Sequence, residues 1–252
     1  MAYFFFDLDG TLLDSNLEVL DSTQVAIAKL KEAGHVVAVN TGRSYLGTRA
    51  ILEQTKIEYA ILDGGMTMYH CHEKISENFL DHDFVRQLYF ECRSLEIDIV
   101  LANDDVARIV DGRYRENIGA DHPWLSFESI TEETTFDDVK KIFIFTDEIQ
   151  AKRIKLLSEI NYLYLENTKG IVTDQNWKYR GISSLLEHFN FEDSTTICFG
   201  DSNNDIEMLE KSDIGVAMAN ATRQAKKASD MVTGSNDDDG IYQALVKLGY
   251  ID

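Results

Sequence analysis

Tyr3-Phe4-Phe5-Phe6-Asp7-Leu8-Asp9-Gly10-Thr11-Leu12-Leu13-Asp14 reads as an apolar strand that ends in two aspartates one residue apart. A hydrophobic core has no use for such a pair, because burying either carboxylate unpaired costs several kcal/mol, roughly. Two like charges this close also push one proton affinity up unless a cation lies between them. A divalent metal with a taste for hard oxygen ligands, such as Mg²⁺, resolves that conflict. One carboxylate is then free to attack and the other to move a proton, which is the equipment for phosphoryl transfer through an aspartyl-phosphate. The competing reading is an Asp-Gly turn in which both residues only cap the loop.

Two further stretches have the same layout. Val39-Asn40-Thr41-Gly42-Arg43-Ser44 follows a buried strand and opens a helix. A hydroxyl, a glycine and a helix N-terminus make a cradle for phosphate, although taken alone the stretch reads better as an ordinary strand-to-helix turn with Ser44 as N-cap. Phe199-Gly200-Asp201-Ser202-Asn203-Asn204-Asp205 again ends a strand in carboxylates. One of them can complete a Mg²⁺ site while the other orients a ligand or a metal-bound water. A capped turn before the helix at Ile206 accounts for one Asp or Asn, not for the cluster. Three polar clusters at strand ends of one parallel sheet point to the crevice where open α/β sheets bind ligands.

With 44% hydrophobic residues in 252, the chain can bury a large core, in one domain or two. Its 24 basic and 44 acidic side chains give a net charge of −20, which repels nucleic acid and anionic membranes. A phosphorylated substrate would be repelled too, so its site needs a local positive field. No stretch approaches the roughly 20 apolar residues of a membrane span. The first residues lack the layout of a signal peptide. Cys71, Cys92 and Cys198 have no metal or disulfide spacing and read as reduced thiols of a cytoplasmic protein.

Strands and helices alternate in the first third: a strand at 2–8, helical spacing through Leu20, Val25, Ala26, Leu30 and Ala33 closed by Gly34, a buried strand at 36–39, a helix from about Ser44, and a strand at 59–62. Asp63-Gly64-Gly65 turns into a hairpin of 66–69 with 75–79. The middle reads as α+β: a helix near 83–95, strands at 97–102 and 107–110 about an Asp111-Gly112 turn, a strand at 140–146, one helix over 148–160, and strands at 162–166 and 170–173. Alternation returns after residue 177. The spacing predicts an α/β fold, a Rossmann-like parallel-sheet core made of 1–81 and 177–252, with an α+β domain inserted at 82–176.

The residues around these motifs carry a family likeness. Asp7-Leu8-Asp9-Gly10-Thr11-Leu12, Asn40-Thr41-Gly42-Arg43 and Gly200-Asp201-Ser202-Asn203-Asn204-Asp205 with Met208-Leu209 resemble the haloacid dehalogenase superfamily. The run from Ile214-Gly215-Val216-Ala217-Met218-Ala219-Asn220-Ala221 to Asp239-Gly240 is similar to its Cof-type sugar-phosphatase branch. The resemblance implies a Mg²⁺-dependent phosphatase of small phosphorylated metabolites, monomeric or homodimeric. Asp7 would be the nucleophile and Asp9 the acid and base. Asp7, the Asp9 carbonyl and Asp201 would hold Mg²⁺, with Asp205 supporting them. Thr41, Gly42 and Asn204 would bind phosphate, and the insert would be the cap that selects substrate.

The sequence departs from that family at its third motif, a lysine directly before the glycine that opens the post-cap helix. Here Arg180 precedes Gly181, and Lys178 lies two residues earlier. Arginine neutralises phosphoryl charge with a fork. Adjacency to Gly181 assigns the role to Arg180 and leaves Lys178 as the alternative. Asp63-Gly64 stands where the family commonly has Asn-Gly, and either suits a tight turn. A phosphomutase, or a non-catalytic phospholigand-binding protein, would use the same scaffold. Among the remaining features, His70 and His72 could ligate a transition metal, but without a third ligand an exposed hairpin edge is the plainer reading. Asp237-Asp238-Asp239 reads as a cap for the last helix. Trp124 and Trp177 suit buried packing, and Asp104, Asp105, Arg108 and Trp124 are candidates for substrate contact in the insert.

Overall fold

The computed structural model describes residues 1–104, 106–110, 126–160, 162–165, 170–173, 177–191 and 195–252. Within these the chain divides into two compact units. One holds Met1–Arg43, Thr48–Ser76 and Asn176–Asp252, the other Ser44–Gly47 and Glu77–Gln175.

The first unit is built on the aromatic strand β1, Ala2–Phe6, every residue of which is buried. Such a run, apolar on both faces, suits a strand covered on both sides. It lies between β2, Val36–Asn40, and β12, Thr195–Gly200, parallel to both. Parallel β3, Tyr59–Leu62, follows on one side, and β13, Ile214–Ala217, with β14, Met231–Val232, on the other. Antiparallel β4, Thr67–His70, and then β5, Glu73–Glu77, complete an eight-stranded sheet in the order β14-β13-β12-β1-β2-β3-β4-β5. Phe6 stacks on Phe199 at 4.7 Å between ring centroids, knitting the two central strands together. The α/β fold expected of the sequence is the fold observed.

The second unit is a mainly antiparallel sheet. Its strands are β6, Asp98–Ala102; β7, Val106–Ile109; β8, Ser126–Ser129; β9, Lys141–Phe145; β10, Tyr162–Leu165; and β11, Gly170–Thr173. Their order is β10-β11-β9-β6-β7-β8. The helix expected over 148–160 is instead a short helix, Glu148–Ala151, and a separate 3₁₀ turn, Lys155–Glu159. The break has a tertiary cause. The Glu91 carboxylate accepts the backbone N–H groups of Lys155 and Leu156, at 2.9 and 3.1 Å, and so starts a new turn there. The buried residues Ala151, Ile154 and Leu157 then recur every third position, the 3₁₀ period. In the insert, Asp104 and Arg108 are engaged by their own sheet: Asp104 pairs with buried Lys140, and Arg108 forks onto Asp138. Asp105, Trp124 and the Asp111-Gly112 turn lie outside the described residues.

The acidic triplet before the last helix does not cap it. Asp239 is the N-cap residue but its side chain makes no capping bond. It accepts from Ser22 Oγ instead, and Asp237 accepts from the Ser15 N–H and hydroxyl. The triplet ties the loop after the first motif to the C-terminal part of the chain.

Candidate active site

Strand register puts the polar clusters side by side. Phe6 pairs with Phe199 on one side and Val39 on the other, so the next residues, Asp7, Gly200 and Asn40, leave the sheet at one level. The Asp7 N–H donates to Phe199 O, and the Asp7 carbonyl accepts from Leu12 N–H. The loop then closes on itself, with the N–H groups of Thr11 and Leu13 both donating to Leu8 O. Gly10 makes that possible at φ +77°, and a Cβ there would lie 2.5 Å from Asp201 Oδ2. Gly10→Ala is therefore expected to be destabilised by about 1–2 kcal/mol from the left-handed backbone alone. It should also displace Asp201, so that phosphate release falls further than the thermal melt does. A melt and a turnover assay on the same sample check this.

Asp7 is 5% exposed and Asp205 is fully buried. Lys178, 1% exposed, reaches both, with Nζ 2.6 Å from Asp7 Oδ1 and 2.6 Å from Asp205 Oδ1. The other oxygen of Asp205 accepts from the backbone N–H groups of Asp201 and Ser202, at 3.0 and 2.9 Å, and from Ser202 Oγ. Both oxygens of Asp205 are thus committed to holding the loop and the lysine. Gly200 is required for the fold-back, since a Cβ on it would come within 2.6 Å of Asp205 Cβ. Asp201 accepts from Thr11 Oγ1 at 3.2 Å.

The geometry brings Lys178, and not Arg180, to the carboxylates. The helix Lys178–His188 begins at Lys178 and buries Lys178, Gly181, Ile182 and Leu185. Those positions share one face at spacings of three and four, and Arg180 lies about 200° round the helix from Lys178. Arg180 is exposed and its guanidinium sits 4.5 Å over the Trp177 ring. Gly181 is a packing residue, since a Cβ there would lie 2.5 Å from Ile61 Cγ2. Asn40 Nδ2 donates to Lys178 O at 3.1 Å and fixes the start of the helix.

The second motif supports the first. Thr41 is buried; its N–H donates to Ile61 O, and its carbonyl accepts from Gly64 N–H. A Cβ on Gly42 would meet nothing within 4 Å, so one side of that residue is open to a ligand. Arg43, quoted in the sequence motif but given no role there, forms a two-pronged ion pair with Asp9, its Nε 2.8 Å from Oδ2 and its Nη2 on Oδ1. Asp9 is otherwise open, its side chain 53% exposed, so this fork sets its orientation. Asn204 Oδ1 accepts from Ser202 Oγ. The signal for Arg43 was its place two residues after the hydroxyl of Thr41.

Burial raises the Asp7 carboxyl to about 8, against the pull of Lys178 and with help from the charges of Asp205 and Asp201. Burial, then Asp205, raises Asp201 to about 6, opposed by Thr11 and Lys178. Lys178 would be lowered by burial, but Asp205 and Asp7 outweigh it and hold its proton. Fully ionised, Asp7, Asp201 and Asp205 would set three negative charges against one positive. Their ligand oxygens lie within 4.8 Å of one another. A divalent cation with oxygen preference fits between Asp7 and Asp201, with Asp205 behind them, and would supply the missing charge.

The profile of the haloacid dehalogenase-like hydrolases matches residues 4–245. The chain belongs to that family. YkrA of Bacillus subtilis (strain 168) is 29% identical over 258 residues, covering 98% of this chain and 97% of its own. The 5-amino-6-(5-phospho-D-ribitylamino)uracil phosphatase YcsE of the same organism is 27% identical, covering 95% and 92%. The HAD subclass IIB sugar phosphatase BT4131 has the same fold, with a TM-score of 0.81 at 24% identity over the whole of both chains. The haloacid dehalogenase-like chain is a phosphatase of its family. No helix among its described residues is long and apolar enough to cross a membrane.

Proposed function

We propose that the chain is a Mg²⁺-dependent phosphatase of small phosphorylated metabolites, sugar phosphates among them, working in the cytoplasm through an aspartyl-phosphate. The observation that carries this reading is the buried Asp7 carboxylate, held by Lys178 beside Asp201 and Asp205 at the ends of parallel strands. Relatives named for phosphorylated ribityl compounds support the substrate class. Asp7 and Asp201, with the Asp9 carbonyl, would hold Mg²⁺, and Asp205 would support them. Bound there, the metal would offset the charge of the phosphoryl group and of the carboxylates.

Asp7 attacks phosphorus, and the substrate P–O bond breaks as the new one forms. The departing alkoxide takes a proton from Asp9, which must bind that proton, and so release one prong of the Arg43 fork, before each turnover. Asp9, now ionised, takes a proton from water, whose oxygen attacks phosphorus and releases Asp7 and inorganic phosphate. Thr41, Gly42 and Asn204 line the phosphate, and Lys178 stabilises its charge. The inserted unit would decide which leaving group is accepted. Phosphate release from a panel of phosphorylated metabolites tests the reading, with Mg²⁺ and with EDTA. Full activity in EDTA, or no turnover of any metabolite with Mg²⁺, would sink it.

Proton competition gives a second expectation. A carboxyl raised in the fold binds a proton that the unfolded chain has lost, so the metal-free fold loses stability as pH rises from about 4 towards the folded value, about 8 for Asp7. Mg²⁺ must displace that proton at low pH. The rise in melting temperature on adding Mg²⁺ is therefore expected to be larger at pH 8 than at pH 5.5, and to be mostly lost in Asp201→Asn. Scanning fluorimetry checks it, and equal shifts at both pH values would count against the assignment.

A further inference from the structure

We propose that Glu58, His70 and Cys71 form a Zn²⁺ site at the edge of the core sheet, separate from the carboxylate cluster. One ligand atom from each of the three residues lies within 4.8 Å of the other two. In the sequence His70 and His72 lacked a third ligand, so an exposed hairpin edge was the plainer reading; the fold places a cysteine and a glutamate beside His70.

The hairpin builds the cluster. Tyr59 pairs with His70, and the Cys71 N–H donates to Glu58 O at 2.8 Å, which sets Cys71 opposite Glu58. In a regular strand His70 and Cys71 would face opposite sides. Here β4 ends at His70, β5 starts at Glu73, and φ is positive at both residues between them, 50° at Cys71 and 67° at His72. Two-residue hairpin turns with that pattern favour Asn-Gly. Cys-His adopts it instead, and the turn swings Cys71 Sγ to 3.4 Å from His70 Nε2. Sulfur and nitrogen ligands on tetrahedral zinc, at about 2.3 and 2.0 Å from the metal, lie roughly 3.5 Å apart.

The imidazole is held for this. Tyr59 stacks on it at 4.6 Å and 20°, and the Phe189 edge meets it at 5.1 Å. The rings restrict its rotation while Nε2 faces Cys71. Thiolate, imidazole and carboxylate together suit Zn²⁺ or Co²⁺ and not Mg²⁺. Three protein ligands leave a fourth position for water. Glu58 precedes β3 at the strand's N-terminal end, whereas Asp7 and Asp201 follow the C-terminal ends of β1 and β12. The two sites are therefore at opposite ends of the parallel strands. The metal would pin the β4–β5 turn to the start of β3.

Titration of the intact chain with Co²⁺ in saturating Mg²⁺ tests the site. A near-ultraviolet thiolate-to-cobalt charge-transfer band is expected to saturate at one equivalent and to vanish on adding Zn²⁺. Cys71→Ser should abolish the band, because Cys92 and Cys198 are buried. His70→Gln and Glu58→Gln should each weaken Co²⁺ at least as much as loss of a supporting partner does, roughly 10–100-fold. Mg²⁺-dependent phosphatase turnover is read in parallel, so a failure here is distinguishable from a failure of the catalytic reading. The absence of a thiolate band in folded wild-type protein, or its survival in Cys71→Ser, would overturn the proposal.

Discussion

Asp7→Asn is expected to lose on the order of 10³-fold or more in turnover while folding as well as the parent chain. The two halves of that statement have one cause. Burial already drives the Asp7 carboxyl up to about 8, so the ionised form needed for attack is the form the fold disfavours without metal. Asparagine has nearly the same shape, can accept the Lys178 hydrogen bond, and carries no charge to bury. In EDTA at pH 8 the variant should melt at or above the wild-type temperature, a trade of stability against activity seen where catalytic groups are held in unfavourable surroundings. A Mg²⁺-induced melting shift should be much smaller than in wild type, because one ligand is gone. Phosphate release, with melts in EDTA and in Mg²⁺, reads all three quantities. Near wild-type turnover would remove Asp7 from the chemistry. A deep loss of stability in EDTA would mean that the carboxylate is ionised and stabilising in the metal-free fold.

The strand ends were legible in the sequence because two signals coincide there. An apolar run such as Tyr3–Phe6 or Ile197–Phe199 has the length of a buried strand, and the polar residues that follow have no packing role. Parallel register then lines up whatever stands one residue beyond, as it does for Asp7, Asn40 and Gly200. The segment 148–160 was not legible in the same way. Its apolar spacing suits a helix locally, and only the distant Glu91 carboxylate explains why the chain restarts as a 3₁₀ turn. The Glu58–His70–Cys71 group was hidden because left-handed residues cancel the alternation on which strand-face arguments rest. Arg43 was legible as a residue of a motif, but not as the partner of Asp9, since 34 positions separate them.

Lys178 and Arg180 show what adjacency misses, and they carry the second large expected effect. Reading the glycine at 181 as the marker pointed to its neighbour. Helical period points three residues back, to the residue that shares the buried face with Gly181, Ile182 and Leu185. Removing the ammonium takes from the fully buried Asp205 carboxylate its paired cation, and from Asp7 the contact that favours its ionised form. Breaking a buried ion pair by deleting one partner costs about 3–5 kcal/mol. Lys178→Met, which keeps the length of the chain and drops the charge, is therefore expected to melt well below wild type. It should lose on the order of 10²-fold or more in turnover, as when one donor to a developing negative charge is removed. Lys178→Arg should rescue little, because a planar fork does not fit a fully buried site shaped for a point charge. Arg180→Ala loses, among the described residues, a contact with the Trp177 ring, about 0.5–1 kcal/mol at an exposed site, and should leave turnover within a few-fold of wild type. Magnesium added to Lys178→Met restores positive charge but not the hydrogen bonds to Asp7 and Asp205, so stability should recover more than turnover. If Arg180→Ala proves the more damaging of the two, the phosphate is met from the exposed face of the helix, and the buried lysine is a structural counter-ion alone.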